Sequence, residues 1–151
     1  MMSGAAIRRG EPADLRAIAQ LLLSAGLPAA DLASAHEFQS WVLEERGFFV
    51  GVIGLERFGH QALLRSLAVV AKHRKRGLGH ELVARLEHDA QAEGIQRLVL
   101  LTETAQTFFR RLGYIETDRR QVSDEVKLSA EFRSLCPISA ICMSKALTDA
   151  S

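Results

Sequence analysis

The chain has 151 residues of which 48% are apolar, enough for one domain spanning 1-151 to bury an ordinary core without metals or cross-links. With 19 Lys and Arg against 18 Asp and Glu the net charge is only +1, which excludes an overall field drawing the chain to nucleic acid or a membrane. No window approaches the roughly twenty apolar residues of a membrane span, and Met1-Met2-Ser3-Gly4-Ala5 holds no apolar run of signal-peptide length, so a cytoplasmic location is expected.

Ala5–Arg9 reads as a short strand. Pro12 stands where a first helical turn tolerates proline, and Leu15, Ile18, Ala19 and Leu22 follow at helical spacing until Gly26. Residues 27–37 suit a second short helix on the surface. From Phe38 the texture becomes strand-like. Phe38, Trp41 and Leu43 mark one strand, Arg46-Gly47 a turn, Phe48–Arg57 a second strand, Gly59-His60 a turn, and Gln61–Val70 a third, giving an antiparallel meander. Gly77–Gln91 then carries Leu78, Leu82, Val83, Leu86 and Ala90 with helical period, and Gly94 ends it.

Arg97–Leu101 is a short apolar strand, as expected where both faces are covered. Ala105–Leu112 is a helix stopped by Gly113, and Tyr114–Val122 resumes strand. After a charged insert, Ile138–Leu147 supplies the last strand. The sum is an α+β fold: a meander feeding a βαβ unit, with a hairpin-like tail. Cys136 and Cys142 would share a face of an extended chain, but six strand residues separate them by about 20 Å, so no disulfide between them is expected, in keeping with a reducing compartment.

The chemistry concentrates after the third meander strand. Leu67-Ala68-Val69-Val70 is strand, Lys72-His73-Arg74-Lys75-Arg76 a basic turn, and Gly77-Leu78-Gly79 opens a helix whose first amides have no intrahelical acceptor. Free N–H groups and the positive end of the helix dipole converge on one point, which suits phosphate oxygens. Glycine at 77 and 79 lets an anion approach the backbone. There is no Gly-Lys-Ser/Thr ending, so this is no Walker loop, and residue 82 is Leu where the dinucleotide fingerprint needs a third glycine. Alone, the stretch reads as a solvated basic turn; strand, loop, helix, strand and helix in order favour the anion site.

The pattern Arg74-x-x-Gly77-x-Gly79 after a strand resembles the pyrophosphate loop of GCN5-related N-acetyltransferases. Ala105-Gln106-Thr107-Phe108-Phe109-Arg110-Arg111-Leu112-Gly113-Tyr114 is similar to that family's helix after its fifth strand. Three stretches resemble a narrower group, the arsenic-resistance-associated N-acetyltransferases: Gly54-Leu55-Glu56 with Ala62 to Val69, Leu101-Thr102-Glu103-Thr104-Ala105, and Glu131-Phe132-Arg133-Ser134-Leu135-Cys136-Pro137.

The resemblance implies a mixed, mostly antiparallel sheet of about six to seven strands flanked by about four helices. It also implies acetyl-CoA as co-substrate, no metal, and transfer of acetyl to a primary amine of a small molecule, an amino acid or a glutamate-like toxin analogue. Leu67, Ala68 and Val69 would hold the pantetheine arm, and Arg74, Lys75, Arg76, Gly77, Leu78 and Gly79 the pyrophosphate. Thr102 stands where relatives carry a coenzyme-contacting asparagine. Phe109 stands where many carry the tyrosine that protonates the thiolate, and a phenyl ring cannot donate a proton.

Glu56 and Glu103 are the nearest carboxylate candidates for deprotonating the acceptor, although each reads first as a surface charge. Arg65 lies inside the apolar run Ala62-Leu63-Leu64-Arg65-Ser66-Leu67, where a cation needs a partner: a substrate carboxylate, or solvent, or Glu56 across the hairpin. Arg119, Arg120 and Arg133 could face acidic groups. His80-Glu81 begins like a zincin helix, but residue 84 is Ala, so His80 and His88 are expected on the helix surface. Cys136 could lie near the acceptor pocket.

Two alternatives accompany the enzyme reading. One is a CoA-binding module with little turnover, suggested by Phe109. The other, nucleic-acid contact through residues 72–76, is disfavoured by the near-neutral charge and the lack of interleaved aromatics. A homodimer is compatible with the sequence.

Overall fold

The meander expected from residue 38 onward forms, and the rest of the chain is built on it. The computed structural model describes residues 5–35, 37–73, 77–135 and 138–147. Its strands are β1 (Ala5–Arg9), β2 (Phe38–Glu45), β3 (Phe48–Phe58), β4 (Gln61–Val69), β5 (Arg97–Thr102), β6 (Ile115–Glu116) and β7 (Ile141–Ala146). They make one sheet in the order β1-β2-β3-β4-β5-β7-β6, in which only β4 and β5 pair in parallel. The α-helices among the described residues are α1 (Leu15–Ser24), α2 (Leu78–Ala92), α3 (Gln106–Arg111) and α4 (Asp124–Lys127). None is long and apolar enough to cross a membrane.

Alternation along the strands divides the core. Trp41, Ile53, Leu55, Leu64, Leu98 and Met143 face the stripe Leu78, Leu82, Val83 and Leu86 of α2. On the opposite face Val42, Val52 and Ala68 take Ile18 and Leu22 of α1, while Phe58, Leu63 and Val99 take Val122 and Val126. Each such leucine or valine contributes about 1.5–3 kcal/mol relative to an exposed one. Gly51 lets α2 come close: a Cβ there would meet Leu82 Cδ1 at 3.1 Å. Trp41 Nε1 donates to Asp89 Oδ2 at 2.7 Å and so ties β2 to the same helix.

The structure departs from the sequence reading in four places. Among the described residues of 27–37 there is a single 3₁₀ turn, Leu32–Ser34, in place of a helix. The expected strand Tyr114–Val122 shrinks to two residues, because the Asp118 side chain accepts from Arg120 N and turns the chain into a 3₁₀ segment, Arg119–Gln121. The charged insert contains two helical turns among its described residues. Ser123 Oγ accepts from Val126 N at 3.3 Å and starts α4, and a π-type turn follows at Glu131–Leu135. The last strand begins at Ile141, since Ile138 is exposed in a turn, and β7 inserts between β5 and β6. Cys142 is a free, buried thiol whose pKa burial pushes up to about 11. Cys136 lies outside the described residues.

Candidate active site

The sheet comes apart in its middle. β4 and β5 are joined only through Gln61–Leu63 against Arg97–Val99 among the described residues. On the other side of β4, Gly54 pairs with Arg65 and Val52 with Ala68, so Ser66 and Leu67 together face Ile53. This is a β-bulge, and Ser66 adopts φ +62° to make it. The extra residue shifts the alternation. Ala62 and Leu64 face α2 before it, Leu67 and Val69 after it, and Ala68 turns to α1. Beyond Leu63 no pairing joins β4 to β5 among the described residues, and the bulge lies on this unpaired length, which leaves a split.

At the end of β4, residues 71–73 make a 3₁₀ turn and α2 begins at Leu78. Gly77 caps the helix in the left-handed region, φ +75°, where a Cβ would meet no atom within 4 Å. Leu78 is buried and anchors the helix start, so only its backbone is on offer. Glu81 N donates to Gly77 O at 3.1 Å, which leaves the amides of Leu78, Gly79 and His80 without intrahelical acceptors at the positive end of a 15-residue helix. Arg74, Lys75 and Arg76 lie outside the described residues. His73 Nε2 lies 2.9 Å from Glu45 Oε1, and His80 is exposed.

Arg65 is corrected from a substrate clamp to an internal hub. Its side chain is 0% exposed. Nη1 and Nη2 donate to Asp31 at 2.6 and 2.8 Å, Nη1 also to Glu56 at 2.9 Å, Nε lies 3.3 Å from Glu131, and Nε donates to Ser66 Oγ at 3.0 Å. Burial pulls the Arg65 pKa down, but the Asp31 hydrogen bonds and the charges of Glu131 and Asp31 outweigh it and leave it above the ordinary arginine range. Burial likewise raises Asp31, and the Arg65 hydrogen bonds and charge reverse this, holding its carboxyl below the usual value. A guanidinium so occupied has no face left for a substrate carboxylate.

Beside this hub, on the face away from α2, opens a cavity of about 470 Å³ walled by Asp31, Glu56, Phe58, Glu125, Leu128 and Arg133. Glu56 pairs in register with Leu63, the residue at which the ladder to β5 stops, so the cavity adjoins the split.

Residues 36–116, more than half of the chain, match the acetyltransferase (GNAT) domain model. The chain belongs to the GNAT family. The N-acetyltransferase family 8 member 3 of Rattus norvegicus is 31% identical over 96 aligned residues, covering 56% of this chain and 41% of the rat protein. The chain spans about two fifths of the length of the curated relatives it matches, 41% in each case. Among solved structures, Rv2747 from Mycobacterium tuberculosis in complex with CoA and NLQ superposes with TM-score 0.77 at 26% identity, covering 95% of this chain and 99% of that one. N-acetylglutamate synthase from Neisseria gonorrhoeae complexed with coenzyme A and N-acetyl-glutamate has TM-score 0.81 at 21% identity, over 99% of this chain and 36% of that one.

The remaining GNAT positions lie around α3. Thr102 Oγ1 accepts from Ala105 N at 3.0 Å, so its hydroxyl serves the turn into α3. Glu103 is exposed in that turn. Phe109, expected at the coenzyme, is 4% exposed and packs edge-on against Phe108 and Tyr114 at 5.0 and 5.3 Å. Phe108 is the ring beside the glycine turn, with Cζ 3.4 Å from where a Cβ on Gly79 would stand. Arg119 donates to Ala140 O at 2.6 Å, and Arg120 pairs with Asp118 at 2.8 Å.

Sequence reasoning missed Asp31 as a partner of Arg65 and Glu125 as a cavity wall. A lone arginine in an apolar run was the only signal, and it named no partner at 34 residues' separation.

Proposed function

We propose that this GNAT domain transfers acetyl from acetyl-CoA to a primary amine of a small molecule, with an amino acid or a glutamate-like analogue of the arsenic-resistance type as acceptor. The observation that carries the reading is the glycine-opened N-terminus of α2 at the end of the strand that leaves β5. The two structural neighbours named above, with CoA and N-acetyl-glutamate or CoA and NLQ, support the choice of coenzyme and of an amino-acid acceptor. Action as a single domain in the cytoplasm belongs to the same reading.

In this mechanism the amides of Leu78, Gly79 and His80 take pyrophosphate oxygens, and Arg74, Lys75 and Arg76 add positive charge from the preceding turn. The β4 backbone across Leu67, Ala68 and Val69 takes the arm of the coenzyme. Acetyl-CoA, when bound, supplies the thioester carbonyl. The acceptor lies in the cavity, its ammonium favoured by Asp31, Glu56 and Glu125 and its carboxylate by Arg133. Glu56, in the cavity wall, or Glu103, at the end of β5, passes the amine proton to solvent. The neutral nitrogen then forms the C–N bond as the C–S bond breaks, the acylated nitrogen sheds its surplus proton to water, and the leaving thiolate takes one proton from water, so that amide and free thiol result. Positioning carries the rate, because two reactants held in line gain the most from lost translational freedom.

Thiol release from acetyl-CoA, followed over a panel of amino acids and glutamate analogues, tests this. Acceptor-dependent release is expected. Saturable binding of acetyl-CoA with no release over the panel replaces the enzyme with a CoA-binding module, a reading favoured by the absence of a hydroxyl on both Phe108 and Phe109.

A further inference from the structure

We infer that Arg65 is a positioning residue: through Asp31, Glu56, Glu131 and Ser66 it holds β4 in its bulged path and so sets the split that receives the coenzyme's thioester arm. The inference rests on the acetyl-transfer reading of the previous subsection.

The bulge has a local cost. Ser66 is not glycine, yet it sits at φ +62°, a region that disfavours side chains by about 1–2 kcal/mol. Something must hold it there. Arg65 Nε donates to Ser66 Oγ, and the same guanidinium is fixed at its far end by the two oxygens of Asp31. Asp31 precedes the 3₁₀ turn that leads to β2, Glu56 belongs to β3, and Glu131 opens the π-type turn. Four segments therefore close on one cation at the bulge.

The hub also separates two hydrophobic clusters on its face of the sheet. Val52 and Ala68 belong to the α1 cluster, whereas Leu63 and Val99 belong to that of α4. An apolar side chain at 65 would merge them and take the shared guanidinium away from Asp31, Glu56 and Glu131. Lysine keeps the charge but not the fork, for its compact ammonium cannot hold both Asp31 oxygens while reaching Ser66 and Glu131. Arg65→Lys thus separates charge from geometry.

The test compares full coenzyme A with ADP, which carries the pyrophosphate and no pantetheine arm, in calorimetric binding to the folded protein. In Arg65→Lys, affinity for coenzyme A and kcat for thiol release should each fall roughly tenfold, with ADP affinity unchanged, because only the arm meets β4. Ser66→Ala removes one anchor and leaves the four charges together, so it keeps the test should the lysine variant not fold, with a loss of roughly threefold for coenzyme A alone. Equal losses for coenzyme A and ADP would mean a merely structural role and overturn the proposal, as would unchanged coenzyme A binding in the variant that folds. Wild-type protein that binds neither ligand defeats the acetyl-transfer reading itself, a different and recognisable result.

Discussion

Tyr114, the single tyrosine of the chain, donates its hydroxyl to Glu87 at 2.7 Å, and Lys145 of β7 holds the other oxygen of that carboxylate at 3.0 Å. Burial first, then the Glu87 charge, push the phenol pKa far above its ordinary value. The group is therefore a strut between the end of α3 and α2, and a poor proton donor. Tyr114→Phe should leave kcat unchanged and lower stability by about 1–2 kcal/mol, since Lys145 still pairs Glu87. Phe109→Tyr should not restore a faster enzyme, because its ring lies in the core. It should cost about 1–3 kcal/mol by burying a hydroxyl, read as a drop in melting temperature with kcat flat or lower.

Gly79→Glu places a carboxylate at the N-terminal turn of α2, over the amides assigned to phosphate. KM for acetyl-CoA should rise by at least roughly tenfold while the melting temperature barely moves, since a carboxylate in a first helical turn favours the helix itself. Unaltered KM would remove the phosphate assignment. Gly77→Ala should act on stability instead, losing about 1 kcal/mol to the left-handed backbone at φ +75°.

Asp31 gives the protein a stated pH dependence. Its folded pKa is lowered from a reference of 3.8, so its contribution to stability is complete above about pH 4 and is lost as pH falls through the lower folded value. Asp31→Asn should destabilise by about 3–5 kcal/mol at pH 7, the cost of breaking a buried pair. The gap between variant and wild type should close as the solution is acidified below pH 4. Urea titrations at several pH values check it, and a gap independent of pH would contradict the pairing.

Arg133 tests the acceptor end of the cavity. Arg133→Ala should raise KM for an amino acid several-fold and leave unchanged the KM for the corresponding decarboxylated amine and for acetyl-CoA. An equal rise for acid and amine would refute a carboxylate contact.

Much of this molecule was legible before its structure. Strand alternation from Phe38 to Val70 gave the meander, and the stripe from Leu78 to Ala90 gave α2, because both patterns answer to nearest neighbours along the chain. The glycine turn was legible for the same reason. The expected strand Tyr114–Val122 failed because its apolar ends are buried from different elements: Tyr114 in the α2 cluster and Val122 under α4, with Ile115 exposed between. The Arg65 hub was only half legible. Glu56, nine residues away across a hairpin, was named as a partner, whereas Asp31 and Glu131 reach Arg65 over separations that no local pattern encodes.

The insertion of β7 between β5 and β6 has a bearing on biosynthesis. As the chain leaves the ribosome, residues through α2 already contain the β1-β2-β3-β4 ladder, with only the short parallel pairing of β4 to β5 outstanding, so the wall that carries the glycine turn can assemble early. Arg97–Thr102 and Ile115–Glu116 each wait for Ile141–Ala146 to supply their antiparallel neighbour. The opposite wall thus matures only once β7 has emerged, and until then Leu98 and Leu100 lack the antiparallel neighbour that flanks them in the finished sheet.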